Sequence, residues 1–116
     1  MKKEEILEKL NSLELDKSKY IIISGASLVC QNLLDETSDI DLACSLDYYN
    51  SISWNTKEGY FGSEIKYFDS FEIGTNFYDE AKIVEIDGYR FADVEATYEL
   101  KKLENKPRDK KLIQKL

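Results

Sequence analysis

The chain has 116 residues, no histidine and a formal net charge of −7. That length suits one domain with a real core, and without histidine a Ser–His–Asp triad, a Cys–His dyad and a cysteine–histidine zinc site are excluded. The acidic balance opposes broad binding to duplex nucleic acid, because the phosphate backbone repels it.

The chain opens "MKKEEILEKL", which mixes acids with lysines and lacks the apolar core of a secretory signal. The longest mostly apolar stretch, "YIIISGASLVC", is about half the roughly 20 residues of a membrane-spanning helix. A cytoplasmic protein is therefore expected. Cys30 and Cys44 show no metal-ligand spacing and read as small buried hydrophobes in a reducing compartment. The concentrated basic region is the C-terminal "KKLENKPRDKKLIQK".

In chain order, "EEILEKLNSL" places Ile6, Leu7, Leu10 and Leu13 on one helical face. "KYIIISG" is a short β-branched run ending in glycine and predicts a buried strand. "ASLVCQNLLDE" follows with helical spacing, so the unit is strand, glycine, helix. "SDIDLACS" then alternates. Ile40, Leu42 and Cys44 point one way, and Asp39, Asp41 and Ala43 the other. "LDYYNSIS" predicts a short helix, and residues 54–63 predict a loop. "EIKYFD" and "FEIGTNF" read as two strands. "KIVEIDGYRF" reads as a hairpin, because Asp87-Gly88 between β-favouring runs suits a type I′ turn. From Val94 the pattern is helical, Pro107 interrupts it, and a last short helix presents Leu112, Ile113 and Leu116. The expected class is α+β, with a mixed sheet of about four to six strands flanked by helices.

Asp39 and Asp41 carry the chemistry. At i and i+2 of a strand they leave one face about 7 Å apart, since a strand rises about 3.3 Å per residue. Two carboxylates there repel each other. A hard divalent cation such as Mg²⁺, which takes carboxylate oxygens, waters and substrate phosphates, removes that repulsion. The preceding strand-to-helix turn at Ser24-Gly25 offers backbone N–H groups to an anion, with the Ser24 and Ser27 hydroxyls as further donors. Each signal also has a plainer reading, as an acidic strand end or as simple connectivity.

The run "IIISGASLVCQNLLDETSDIDL" resembles the nucleotidyltransferases of the DNA polymerase β superfamily. It is most similar to their small single-domain bacterial members, which are related to antibiotic and toxin–antitoxin nucleotidyltransferases. Those proteins read approximately "hhhhGG-x-A-L", then about a dozen residues, then "T-x-D-I-D-L". Ser24-Gly25 fall on the glycine pair, with serine in place of its first glycine. Thr37, Asp39, Ile40, Asp41 and Leu42 fall on the second block. The tail "IDGYRFADVEATYELKKLENKPRDKKL" is similar to the family's hairpin, lysine helix and closing "R-P-K-D". It sets Lys101 on the lysine, Lys106-Pro107-Arg108 on the basic turn and Asp109 on the final acid.

The resemblance implies a nucleotidyl transfer from an NTP such as ATP to a hydroxyl on a small molecule, protein or RNA, with Mg²⁺ or Mn²⁺ as cofactor. It implies Asp39 and Asp41 as metal ligands and a third acid on a later strand. Glu72 is the first candidate for that acid and Glu85 the second, and each has a plain solvent-facing alternative. Ser24, Gly25, Ser27, Lys101 and Arg108 are the implied nucleotide contacts, and Trp54 is the aromatic residue to test for stacking on a base or acceptor. A second class stays open beside the enzyme: a non-catalytic binding module on the same fold, such as an antitoxin or assembly partner, acting with a protein partner or as a homodimer.

Overall fold

The computed structural model describes residues 1–59, 62–76, 78 and 82–98. The expected helices beyond residue 98, with Lys101, Lys106, Pro107, Arg108 and Asp109, lie outside the described residues.

Helix α1 (Lys3–Ser12) forms where the apolar residues recur every three to four positions, and it buries Ile6 and Leu10. Strand β1 (Tyr20–Ile23) is buried at every position, which explains its unbroken apolar run. Helix α2 follows at once (Ser24–Cys30). It ends earlier than the sequence spacing predicts. Asn32 takes a left-handed φ of 63°. The Asn32 and Leu33 amides donate to the Val29 and Leu28 carbonyls at 3.1 and 2.9 Å. This is a Schellman closure with asparagine in the position usually held by glycine. Leu33 is consequently on the surface, not one turn below Val29.

Strand β2 (Ile40–Cys44) leads into helix α3 (Leu46–Ser51), whose first turn is capped by the Ser45 hydroxyl accepting from the Tyr48 amide. Strands β3 (Asn55–Glu58), β4 (Glu64–Phe68) and β5 (Phe71–Gly74) form a meander. Strands β6 (Ile83–Ile86) and β7 (Tyr89–Ala92) form the expected hairpin. Asp87 and Gly88 at its tip have φ of 54° and 81°, as a type I′ turn requires. A helical turn begins over 94–98.

The strands make one sheet in the order β3-β4-β5-β2-β1-β7-β6. The α+β class holds, but seven strands exceed the expected four to six. The added strand is β3, which lies inside the segment 54–63 expected to be loop. All four of its residues are exposed, so it carries no apolar alternation to read. Backbone pairing to β4 makes it a strand.

One face of the sheet packs under the helices. Ile6, Leu10, Tyr20, Ile22, Val29, Ile40, Leu42, Cys44, Ile73 and Phe91 share this main core. Each such aliphatic side chain contributes about 1.5–3 kcal/mol by leaving water. The other face holds a smaller apolar cluster of Ile21, Ile23, Ala43 and Ala92. No helix among the described residues is long and apolar enough to cross a membrane.

Candidate functional site

The alternation expected in "SDIDLACS" is present. Ile40, Leu42 and Cys44 enter the main core, while Ala43 joins the opposite cluster. Asp41, half-buried, shares the face of Ala43. Asp39 stands just before the strand, exposed.

β2 lies in the middle of the sheet, antiparallel to β1 and parallel to β5. In that register Asp41 is paired with Ile23 on one side and Glu72 on the other. Paired positions on neighbouring strands present their side chains to the same face. Asp41 and Glu72 are thus adjacent on the sheet surface opposite the main core. Glu85, the second candidate for a third acid, is on β6 at the far edge, with β1 and β7 between it and β2.

Glu72 has a partner that the sequence did not reveal. Lys57 on β3 reaches across β4, and its Nζ lies 3.3 Å from Glu72 Oε2. The same ammonium sits 5.2 Å from the centre of the Tyr67 ring. Tyr67 pairs with Glu72 across the β4–β5 ladder, so Tyr67, Glu72 and Asp41 run in one line over the sheet, and Lys57, paired with Ile65 two residues along β4, reaches that line with its side chain. Among the described residues, no group of three or more carboxylates and thiols is gathered tightly enough to hold a metal. The donor set of Asp39, Asp41 and Glu72 suits a hard cation in chemistry, being all carboxylate oxygen. Glu72 would have to leave Lys57 to join it.

The turn from β1 into α2 is tight. Ser24 adopts a φ of 60° and is buried. Gly25 follows, and the reason for glycine there is visible. A Cβ on it would lie 2.7 Å from Thr37 Oγ1 and 3.3 Å from Thr37 Cβ. Thr37 is fixed from two more sides. Its amide donates to the Met1 carbonyl at 3.0 Å, and its own carbonyl accepts from the Met1 amino group. Its hydroxyl points to the Asp39 carbonyl at 3.4 Å. The Ser-Gly turn and the T-x-D-x-D run therefore touch, and the contact helps to set where Asp39 begins.

Ser27 is placed elsewhere. It has no exposed surface, and its hydroxyl donates to the Ala92 carbonyl at 2.6 Å. Gln31 Nε2 donates to both the Ser27 hydroxyl and the Ala92 carbonyl, at 2.8 and 2.9 Å. Ser27 ties α2 to β7 inside the protein and does not open toward a ligand. Trp54 packs with its ring stacked on Phe68 at 5.6 Å and tilted on Phe71 at 6.3 Å. Phe71 faces the main core and Glu72 faces away from it, so Trp54 and the acids are on different sides of the sheet. Lys101 and Arg108 lie outside the described residues. Both cysteines are free and buried, and burial pushes each thiol up to about 11.

Compared with protein-family models, curated proteins and solved structures, the chain matches none.

Proposed function

We propose that the chain is a divalent-metal-dependent nucleotidyltransferase, moving a nucleoside monophosphate from an NTP to a hydroxyl on a small molecule, protein or RNA. One observation carries this reading: the acid selected from sequence as the third ligand, Glu72, is in direct register with Asp41. A neighbour at that position is not implied by the two-residue spacing of Asp39 and Asp41, so the pairing is independent support.

Asp39, Asp41 and Glu72 would hold the cation. Mg²⁺ or Mn²⁺ would supply charge neutralisation at the phosphates when bound. The acceptor oxygen forms a bond to the α-phosphorus, the bond from that phosphorus to the bridging oxygen breaks, and pyrophosphate leaves. A carboxylate of the site, Glu72 first, takes the acceptor's proton directly or through water. The backbone at Ser24 and Gly25 and the side chains of Lys101 and Arg108 are the proposed triphosphate contacts. Ser27 contributes by fixing α2. Most of the rate gain in such a site comes from positioning and charge.

A second reading has its own support. Glu72 is engaged by Lys57, as suits a fold kept for binding after turnover is lost. The test is incubation with α-labelled ATP, GTP, CTP or UTP, Mg²⁺ and extract of the source cell. Label transfer that disappears in Asp39→Asn and Asp41→Asn supports the enzyme. No transfer, with both variants behaving as wild type, sinks it and leaves the binding module.

A further inference from the structure

A groove of about 910 Å³ separates α1 from the β4–β5 hairpin and the start of β3. None of Asp39, Asp41 and Glu72 lines it, so it is distinct from the site above. Its size is near the top of the range for ligand pockets, about 300–1,000 Å³.

The floor is aromatic. Trp54 stacks on Phe68 and leans on Phe71. Phe68, which shares the face of Phe71, is 56% exposed, so much of this apolar surface meets water. Clustered exposed aromatics of this kind are the usual centre of an interface.

The rim is acidic. Glu5, Glu8, Lys9 and Ser12 recur at i, i+3, i+4 and i+7 of α1 and so form one stripe along the groove wall. Glu14 continues it. The one cation of the lining, Lys9, is bound to Asp69 across the groove at 3.0 Å. Among the described residues no ion pair engages Glu5, Glu8 or Glu14, and all three are exposed. The groove thus combines an apolar aromatic floor with three exposed carboxylates that no ion pair among the described residues engages.

We propose that this groove docks a basic amphipathic peptide segment of a partner protein. Its apolar side chains lie on Trp54 and Phe68, and its lysines or arginines meet Glu5, Glu8 and Glu14. The sign of the rim selects against nucleic acid and anionic lipid surfaces, which carry the same charge. The aromatic floor favours a cation attached to an apolar stem, which gains both burial and attraction to the ring faces.

The chain has a single tryptophan, so Trp54 emission reports occupancy directly. The full chain is titrated with a tryptophan-free peptide of about 14 residues, four helical turns of lysine and leucine at amphipathic spacing. Its counterpart carries glutamate at every lysine. The expected result is a saturable shift of Trp54 emission by the basic peptide alone, weakening about tenfold or more between low and high salt. Glu5→Lys/Glu8→Lys weakens it about tenfold or more, and Phe68→Ser weakens it while leaving the circular dichroism unchanged. Equal binding of both peptides overturns the proposal. So does the lack of a saturable shift up to about 1 mM peptide. Full competition by spermidine at the peptide's own concentration also overturns it, in favour of a free polyamine.

Discussion

Asp41 and Glu72 stand opposite each other on neighbouring parallel strands, on the sheet face turned away from the main core. Two like charges in that position destabilise a sheet by a few tenths to about 1 kcal/mol. Lys57, at 3.3 Å from Glu72, offsets part of this. A bound Mg²⁺-NTP would offset more, through mass action. At about 100 times its dissociation constant it would add about 2.7 kcal/mol, on the order of 10 °C in melting temperature for a domain of this size. Asp41→Asn is expected to lose most of that shift, and Glu72→Gln a substantial part. Lys57→Met is expected to enlarge the shift produced by Mg²⁺ alone, because the ammonium competes for the same carboxylate. Differential scanning fluorimetry with a non-hydrolysable NTP reads all three. A full shift in Glu72→Gln would remove Glu72 from the site.

Ser24 sits at a φ of 60° in the turn that joins β1 to α2. For a residue with a Cβ this region costs roughly 1–2 kcal/mol, a cost glycine does not carry. Glycine in turn raises the entropy of the unfolded chain. Ser24→Gly is therefore expected to stabilise the protein by up to about 1 kcal/mol in urea unfolding. A loss of more than about 1 kcal/mol would show that the Ser24 side chain holds something the strain conceals.

Gly25 answers to a different constraint. A methyl group there would meet Thr37 Oγ1 at 2.7 Å. Gly25→Ala is expected to cost about 1–3 kcal/mol, as overpacking does. Thr37→Ala removes the hydroxyl but not the Cβ at 3.3 Å, so Gly25→Ala/Thr37→Ala should recover part of the loss. The double-mutant cycle measures this, and purely additive effects would mean that the clash is relieved elsewhere.

What the sequence revealed follows the range of each signal. Period-two alternation sorted Ile40, Leu42 and Cys44 from Asp41 and Ala43, because it depends only on the strand's own residues. Asp87-Gly88 announced its turn for the same reason. The early end of α2 was also local, yet it was missed. Leu33 continues the apolar spacing, while the left-handed Asn32 that breaks the helix looks unremarkable in one-letter form. The strand β3 was hidden because "NTKE" has no apolar face. With it went Lys57, whose significance comes from a partner fifteen residues away. Ser27 looked like a phosphate donor beside a glycine turn. Only the arrival of β7 against α2 gave its hydroxyl another acceptor.

Ser27 separates a structural role from a ligand role. Its hydroxyl has no exposed surface and donates to the Ala92 carbonyl, which Gln31 also satisfies. Ser27→Ala removes two hydrogen bonds, to the Ala92 carbonyl and from Gln31 Nε2, but leaves that carbonyl with Gln31 as donor and Gln31 with backbone acceptors, so a loss of about 1–2 kcal/mol is expected. The melting-temperature shift produced by Mg²⁺-NTP should stay at its wild-type size. A selective loss of that shift, with stability unchanged, would return Ser27 to the phosphate site.

Cys30 and Cys44 give the protein an alkaline limit. Burial holds both thiols neutral, pushed up to about 11 from the ordinary 9.0. The folded value is the higher one, so the thiols contribute stability that is fully present below about pH 9. It is lost as pH rises from there through about 11, because the unfolded chain releases the protons first. Tyr49, pushed up to about 12 chiefly by burial, adds to the same trend from about pH 10. Urea midpoints should hold steady from pH 7 to 8.5 and then fall, and Cys44→Ala should flatten the fall. Iodoacetamide at pH 8 should label both thiols slowly in the native protein and fully in urea, since the thiolate is the reactive form and neither sulfur is open to solvent. Native labelling as fast as in urea, or a flat stability profile to pH 10.5, would contradict the burial that sets both values.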